Sequence, residues 1–373
     1  MKKNLLFLIE SMIVGGAERV LIDLANNLDP KKYDITVISI FKETVYKDYN
    51  SSFSEMLKPH IHKNYLIDNT SKWKYKLFNY SFNHFPKKWF HYLLIGRKYD
   101  VEIAFYEGFP TVFLAHSSNP HSKKVAWLHY GNGFQNLSAS KKKETIDVYS
   151  HFDQIIGVSL GVCKNFQNRV CNNFPIEVKY NIIDEINIIK KSNKFIVERE
   201  SNRPLFISVG RLTPVKGFDR LLKVCHNLIK QNYQFNLWII GEGTERINLE
   251  KLIIDYHLEK NVSLLGNQQN PFPYVKIADW YICSSYAEGF STSMTEATIL
   301  GIPIISTLCA GTKELLGNDE YGLVVENSED GIFNGMSNVL NNKYLREKYQ
   351  EQLTALKNKF KKDVLLKEIE KIL

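Results

Sequence analysis

The sequence predicts an α/β protein built from two doubly wound parallel-sheet halves. Three observations lead there. At 373 residues the chain exceeds one ordinary core and suits two domains of about 150–200 residues. Short apolar runs alternate with helical periods along most of its length. Gly, His, Arg and Glu residues recur just after the apolar runs, at the strand ends where open α/β sheets place their ligands.

In the first half, Asn4–Ile9 reads as a strand, Gly15-Gly16 as a turn, and Ala17 to about Leu28 as a helix. Strands follow at Asp34–Phe41, Val101–Phe105, Lys124–Trp127 and Gln154–Val158. Residues 183–203 are polar and charged without a strand pattern and read as a linker. The second series has strands at Leu205–Val209, Phe235–Ile240, Val262–Leu265, Asp279–Ser284, Ile302–Ser306 and Gly322–Val325. Between them lie helices at Gly217–Gln231, at Thr244–Tyr256 and from about Thr292 to Leu300. The expected domains are therefore residues 1–182 and 204–350, followed by a helical tail, 351–373.

The apolar fraction of 44% is ordinary for a globular chain. No apolar run reaches the ~18 residues that span a bilayer. The N-terminal Leu5–Ile9 run is too short for a signal peptide and stops at Glu10, so it is expected to be a buried strand. Five scattered cysteines, an odd number without metal-ligand spacing, fit reduced thiols in a cytoplasmic protein.

The net charge of +8 is concentrated. Residues 58–98 hold nine Lys or Arg against the single acid Asp68, interleaved with Trp73, Tyr75, Phe78, Tyr80, Phe82, Phe85, Trp89, Phe90 and Tyr92. Two readings stand side by side: a helix pair with its aromatics inside and its lysines solvated, or a surface for the inner face of a membrane. Nucleic acid is not expected, because no recognised nucleic-acid motif accompanies the segment.

The most informative stretch is Glu288-Gly-Phe-Ser-Thr-Ser-Met-Thr-Glu296. Its two carboxylates flank an expected helix start whose small residues Ser291, Thr292 and Ser293 leave backbone N–H groups free. Such a junction can hold a phosphate on the N–H groups and hydroxyls on the carboxylates. Phosphate beside hydroxyls describes a nucleotide sugar. Upstream, Gly210-Arg211-Leu-Thr-Pro-Val-Lys216-Gly217 sets two cations on a Gly-punctuated loop before a helix, as a diphosphate requires. Taken alone, the loop could equally be a surface turn with solvated cations. Gly241-Glu-Gly243 begins like a dinucleotide fingerprint but has Arg246 at the third glycine, which favours a plain tight turn beside the ligand. Gly15-Gly16 permits close approach of a phosphate or sugar, or is a simple strand-to-helix turn. His129 and Glu107 stand at expected strand ends; each could instead be a packed or surface residue. Asp-x-Asp, Walker, His-Glu-x-x-His and Gly-x-Ser-x-Gly motifs are absent from the sequence, so neither a metal nor a bound cofactor is expected.

Together these motifs resemble the retaining glycosyltransferases of family 4, also called glycosyltransferase group 1. The resemblance implies the GT-B fold: two Rossmann-like domains facing across a cleft, with a C-terminal helix returning to the first domain. It implies that Arg211 and Lys216 bind the donor diphosphate, assisted by Gly16 and Ser291–Ser293. Glu288 would hold the donor sugar and Glu296 the ribose, with Gly241, Asn267 and Gln268 near the ribose and base. His129 would stand beside the reacting sugar, with Gly15 and Glu107 on the acceptor side. Where many members carry Asp and Gly-Gly, this chain has Leu308-Cys309-Ala310-Gly311-Thr312. The Tyr106-Glu107-Gly-Phe-Pro and Ala126-Trp-Leu-His129 contexts resemble enzymes of bacterial capsule, exopolysaccharide or lipopolysaccharide synthesis. The implied reaction moves a sugar from a nucleoside diphosphate, expected to be UDP, to a glycan acceptor that is expected to be lipid-linked. The rivals are a nucleotide-sugar epimerase on the same fold, a non-catalytic partner subunit, and a nicotinamide-dependent oxidoreductase. The last is disfavoured by Arg246.

Overall fold

In the computed structural model, residues 1–12, 15–42, 53–68, 72–96, 98–130, 134–199, 201–356 and 361–373 are described. They form two compact units: Met1–Ile182 with Asp363–Leu373, and Ile183–Lys362.

The sheet of the first unit contains β1 (Lys3–Ile9), β2 (Tyr33–Phe41), β3 (His62–Ile67), β4 (Val101–Ala104), β5 (Lys123–Leu128), β6 (Gln154–Gly157) and β7 (Ile176–Val178). Its order is β3-β2-β1-β4-β5-β6-β7, and every pairing is parallel. β1 is an interior strand, with Leu5 opposite Ile35 on one side and Val101 on the other. Strands covered on both faces read as unbroken apolar runs, which is why Leu5–Ile9 imitates a signal sequence while being almost wholly buried.

The second sheet contains β8 (Leu205–Val209), β9 (Asn236–Ile240), β10 (Val262–Gly266), β11 (Trp280–Cys283), β12 (Ile304–Thr307) and β13 (Leu323–Val325). Its order is β10-β9-β8-β11-β12-β13, again all parallel. The helix Phe218–Lys230 buries Phe218, Leu221, Leu222, Cys225 and Leu228 at helical spacing, in one core with Phe206, Leu237, Ile239 and Met336.

Three departures from the sequence reading have physical reasons. Residues 183–203 are not all linker. Asp184 accepts a hydrogen bond from the Asn187 N–H at 3.0 Å and so caps a helix, Glu185–Ser192. Ile183 and Ile188 of this segment are buried with Phe272 and Ile299 of the second unit. The edge strands β3 and β7 were missed because an edge needs little apolar pattern; most of β3 is exposed. The tail is two helices, Tyr344–Leu356 and Lys362–Glu370, and the junction at 357–360 lies outside the described residues. Residues Asp363–Leu373 group with the first unit, where Ile369, Ile372 and Leu373 are buried and Lys123 Nζ donates to the Ile372 carbonyl at 2.8 Å.

Candidate active site

In a doubly wound sheet, the crevice opens at the carboxyl ends of the strands where the order reverses. In the second unit that point lies between β8 and β11. The chain leaves β8 into Gly210-Arg211 and leaves β11 into Ser284-Ser285, three residues before Glu288. Topology alone thus brings together segments more than 70 residues apart.

Lys216 Nζ donates to Glu288 Oε1 at 2.6 Å, and Ser285 Oγ donates to the same oxygen at 2.6 Å. Burial by itself pulls the Lys216 pKa down. The negative charge of Glu288, and secondarily Cys283, overrides it, so the net shift is upward and Lys216 remains a cation. Arg211 is exposed and makes no ion pair with another described residue. Ser284 Oγ donates to the Lys216 carbonyl at 2.9 Å, tying the two loops together. Gly217 makes that approach possible: its φ is +62°, and a Cβ there would lie 2.4 Å from the Ser284 carbonyl oxygen.

The helix Thr292–Ile299 begins as expected, with Ser291 as its cap accepting from the Met294 N–H at 3.4 Å. Ser293 Oγ lies 2.8 Å from the Tyr281 hydroxyl, which in turn reaches the Val209 carbonyl oxygen at 3.1 Å. Glu288 therefore stands on the loop and the half-buried Glu296 in the second helical turn. The Leu308–Thr312 stretch borders the same turn: a Cβ on Gly311 would meet the Gly289 carbonyl oxygen at 2.4 Å, and Cys309 Sγ reaches the Ser285 carbonyl at 3.4 Å.

Gly241 follows β9, and its missing side chain leaves room for the Gly210 carbonyl oxygen, 1.9 Å from where a Cβ would sit. Arg246, which replaces the third fingerprint glycine, is engaged by Glu242 at 2.9 Å and Glu250 at 2.5 Å. Asn267 and Gln268 follow β10, two strands from β8, and the Gln268 amide donates to its own turn at the Leu265 carbonyl, 2.8 Å away.

Sequence reasoning missed two residues. In the sequence Tyr281 is one more residue of the apolar strand Asp279–Ser284. Arg220 is buried, donates to the Ser284 carbonyl at 2.9 and 2.6 Å, and lies 3.8 Å from the Tyr286 ring centroid. A lone Arg on the apolar face of an expected helix was the available signal for the second.

In the first unit the order reverses between β1 and β4. Gly15 follows β1 and precedes the helix Gly16–Asn27; Gly16 is exposed in its first turn. Glu107 follows β4, and its Oε1 accepts the Tyr130 N–H at 2.7 Å. Its other oxygen, Oε2, is sealed from solvent without a hydrogen-bond partner among the described residues. Burial pushes its pKa up to about 7, partly offset by backbone N–H groups of Tyr130, Glu107 and His129. His129 follows β5 with its ring 4.8 Å from that of Phe105 and its Nε2 buried without a hydrogen-bond partner among the described residues. Burial pulls its pKa down to about 3, so the imidazole is neutral. Among the described residues no three His, Cys, Asp or Glu side chains gather as a metal site.

Comparison with known proteins agrees with this architecture. Residues 189–355 match the profile of the glycosyl transferases group 1. A Campylobacter jejuni N-acetylgalactosamine-N,N'-diacetylbacillosaminyl-diphospho-undecaprenol 4-alpha-N-acetylgalactosaminyltransferase is 31% identical over 218 residues, 58% of each chain. An uncharacterized glycosyltransferase from Haemophilus influenzae is 27% identical over 350 residues, 92% of this chain and 91% of that one. The crystal structure of Anabaena HepE in complex with UDP and glucose superposes with a TM-score of 0.78 at 18% identity, over 99% of this chain and 98% of that one. The chain thus carries a glycosyltransferase group 1 domain, and its fold is GT-B.

Proposed function

We propose that this chain is a glycosyltransferase that moves a sugar from a nucleoside diphosphate, with UDP as the carrier, to a growing lipid-linked bacterial surface glycan at the inner face of the cytoplasmic membrane, with retention at the anomeric carbon. The observation that carries the reading is the Lys216–Glu288 contact at the β8/β11 reversal, beside the exposed Arg211. Cations for a diphosphate and a carboxylate for sugar hydroxyls share one crevice mouth, with the capped N-terminus of Thr292–Ile299 next to them. The Anabaena HepE complexes with UDP and with UDP-glucose support the choice of carrier. The C. jejuni relative, whose name specifies a diphospho-undecaprenol-linked acceptor, supports a lipid-linked one.

In this reading Arg211, Lys216 and the N–H groups around Ser291–Ser293 hold the diphosphate, Glu288 the sugar hydroxyls and Glu296 the ribose. Gly16 is assigned to the phosphate and the acceptor. Glu107, His129 and Gly15 serve the acceptor side and the reacting sugar. The bond from the anomeric carbon to the diphosphate oxygen breaks, and the acceptor oxygen bonds to that carbon on the same face. The acceptor proton passes to the departing phosphate oxygen, and the nucleoside diphosphate leaves. Catalysis is then orientation plus charge stabilisation, supplied by Arg211, Lys216 and helix N–H groups without a metal.

The test is a panel of nucleoside-diphosphate sugars, followed for nucleoside diphosphate release with and without membrane extract. Acceptor-dependent release unaffected by EDTA, giving a product of retained anomeric configuration, is expected. An acceptor-independent epimerised nucleotide sugar would replace transfer with epimerisation.

A further inference from the structure

The segment 58–98 does not have to choose between the two readings that its composition allows. It does form a helix pair, Lys72–His84 and Lys87–Leu94, and an aromatic cluster does lie inside it. Phe82 stacks on Phe109 at 4.6 Å and on Phe113 at 6.0 Å, while Phe78 and Phe82 both meet Phe90 at 6.0 Å. Each helix, however, carries a second apolar stripe that no other described residue covers. On the first, Trp73, Leu77 and Tyr80 are exposed at spacings of four and three, on the face opposite Phe78 and Phe82. On the second, Trp89, Tyr92 and Leu93 are exposed on the face away from the buried His91. Phe85, in the turn between the helices, is exposed as well. Trp73 at 68% and Trp89 at 69% exposure are too open for side chains that merely rim a core.

We propose that the outward face of this helix pair is a docking surface for an anionic lipid bilayer, with Trp73, Trp89 and their apolar neighbours entering the headgroup region. Monomeric proteins seldom leave contiguous apolar area of this kind uncovered. Trp and Tyr are the side chains suited to a boundary between water and hydrocarbon. Charge selects the occupant. Lys76 and Lys88 are exposed on these helices, beside the two stripes by helical spacing, and Lys98 is exposed a few residues beyond the second helix. The one acid between residues 58 and 98, Asp68, lies 3.6 Å from Lys42 Nζ and is neutralised there. A lipid surface bearing phosphates satisfies the lysines and the aromatics together. A second copy of the chain would bring the same lysines against one another. The inner phenylalanine cluster fixes both helices to the first unit, so the stripes are displayed on a firm support. The inference deepens the membrane-side reading above and rests on that reading only for the identity of the acceptor.

The test uses the full chain with vesicles of phosphatidylcholine, with or without phosphatidylglycerol. Sedimentation with the phosphatidylglycerol vesicles, weakened by salt, is expected, with a blue shift of tryptophan emission. Of the chain's five tryptophans, only Trp73 and Trp89 are among the exposed large apolar side chains. The double variant Trp73→Ser/Trp89→Ser should lose about tenfold or more in partitioning, while its melting temperature and its transfer to a water-soluble acceptor stay unchanged. Three outcomes overturn the proposal: no binding to phosphatidylglycerol vesicles at low salt, equal binding by the double variant, or a wild-type dimer in solution that the double variant dissolves. Vesicle binding by a protein that transfers no sugar would sink the activity and leave the docking surface standing.

Discussion

Lys216 and Glu288, 72 residues apart in sequence, are joined at 2.6 Å where β8 and β11 end. Lys216 and Ser285 both donate to the same carboxylate oxygen, so the other keeps its capacity to accept from a sugar hydroxyl. Glu288→Gln preserves the shape and removes the charge. It is expected to lower turnover by about 10²–10³-fold with little change in thermal stability, since a charged contact aimed at the reacting sugar is lost. Lys216→Ala should instead weaken binding of the nucleoside diphosphate itself, read by calorimetry. Steady-state rates for Glu288→Gln equal to wild type would remove Glu288 from the site. Because the Lys216 pKa is raised on folding, its ionic contribution to stability is complete below the usual lysine value and is lost only as pH climbs through the folded one.

Tyr281 links the end of β8 to the first turn of Thr292–Ile299 through Val209 and Ser293. Its burial, the largest influence, raises the phenol pKa, so the hydroxyl stays protonated and neutral. Tyr281→Phe keeps the ring and removes the link. The expected cost is about 1–2 kcal/mol of stability, for a buried hydroxyl and the partners it leaves unsatisfied. The KM for donor should rise more than kcat falls, because Ser293 loses its anchor while Lys216 and Glu288 keep theirs. Chemical denaturation and donor kinetics together check both halves of this expectation.

Much of this site was legible in the chain because its signals are local. The Gly-Gly start, the Arg211 and Lys216 loop and the helix opening after Ser291 depend on neighbours in sequence. Strand pattern then places them at strand ends, and the doubly wound topology converts strand ends into one crevice per sheet. What stayed hidden depends on distant partners. Tyr281 reads as one more apolar strand residue until Ser293 is beside it. Arg220 reads as a stray charge until Ser284 and Tyr286 enclose it. The helix Glu185–Ser192 was lost because a segment rich in Lys, Asn and Glu imitates a linker; its signal was the Asp184 cap. The split faces of the helices Lys72–His84 and Lys87–Leu94 could not be read from composition, since inward and outward aromatics look alike there.

Gly241 offers a test of the backbone beside Arg211. Its φ of +147° lies where side chains are strained, and a Cβ would lie 1.9 Å from the Gly210 carbonyl oxygen. That neighbour is backbone and cannot swing aside. Gly241→Ala is therefore expected to cost roughly 2 kcal/mol or more and to shift the Gly210–Arg211 turn. A melting temperature within a degree or so of wild type, with unchanged donor binding, would show that the two turns are not in the contact described.

Glu107 contributes to the pH behaviour of the first unit. An unfolded Glu ionises near 4.5, whereas burial raises the folded value to about 7. Below 4.5 both states hold the proton, and the contribution of neutral Glu107 is complete. As pH rises towards 7 the unfolded chain releases its proton first, so stability falls. His129 works in the opposite direction: with its folded pKa near 3, its contribution is complete above the usual histidine value and is lost as pH drops towards 3. Glu107→Gln retains an oxygen for the Tyr130 N–H and removes the ionisation. The variant is expected to gain roughly 1–3 kcal/mol over wild type at pH 8 and nothing at pH 4. If Glu107 serves the acceptor as proposed, an ionisation near pH 7 in kcat/KM should vanish in the same variant. Parallel denaturation curves for the two proteins across that range would mean that Glu107 titrates as an ordinary surface carboxylate.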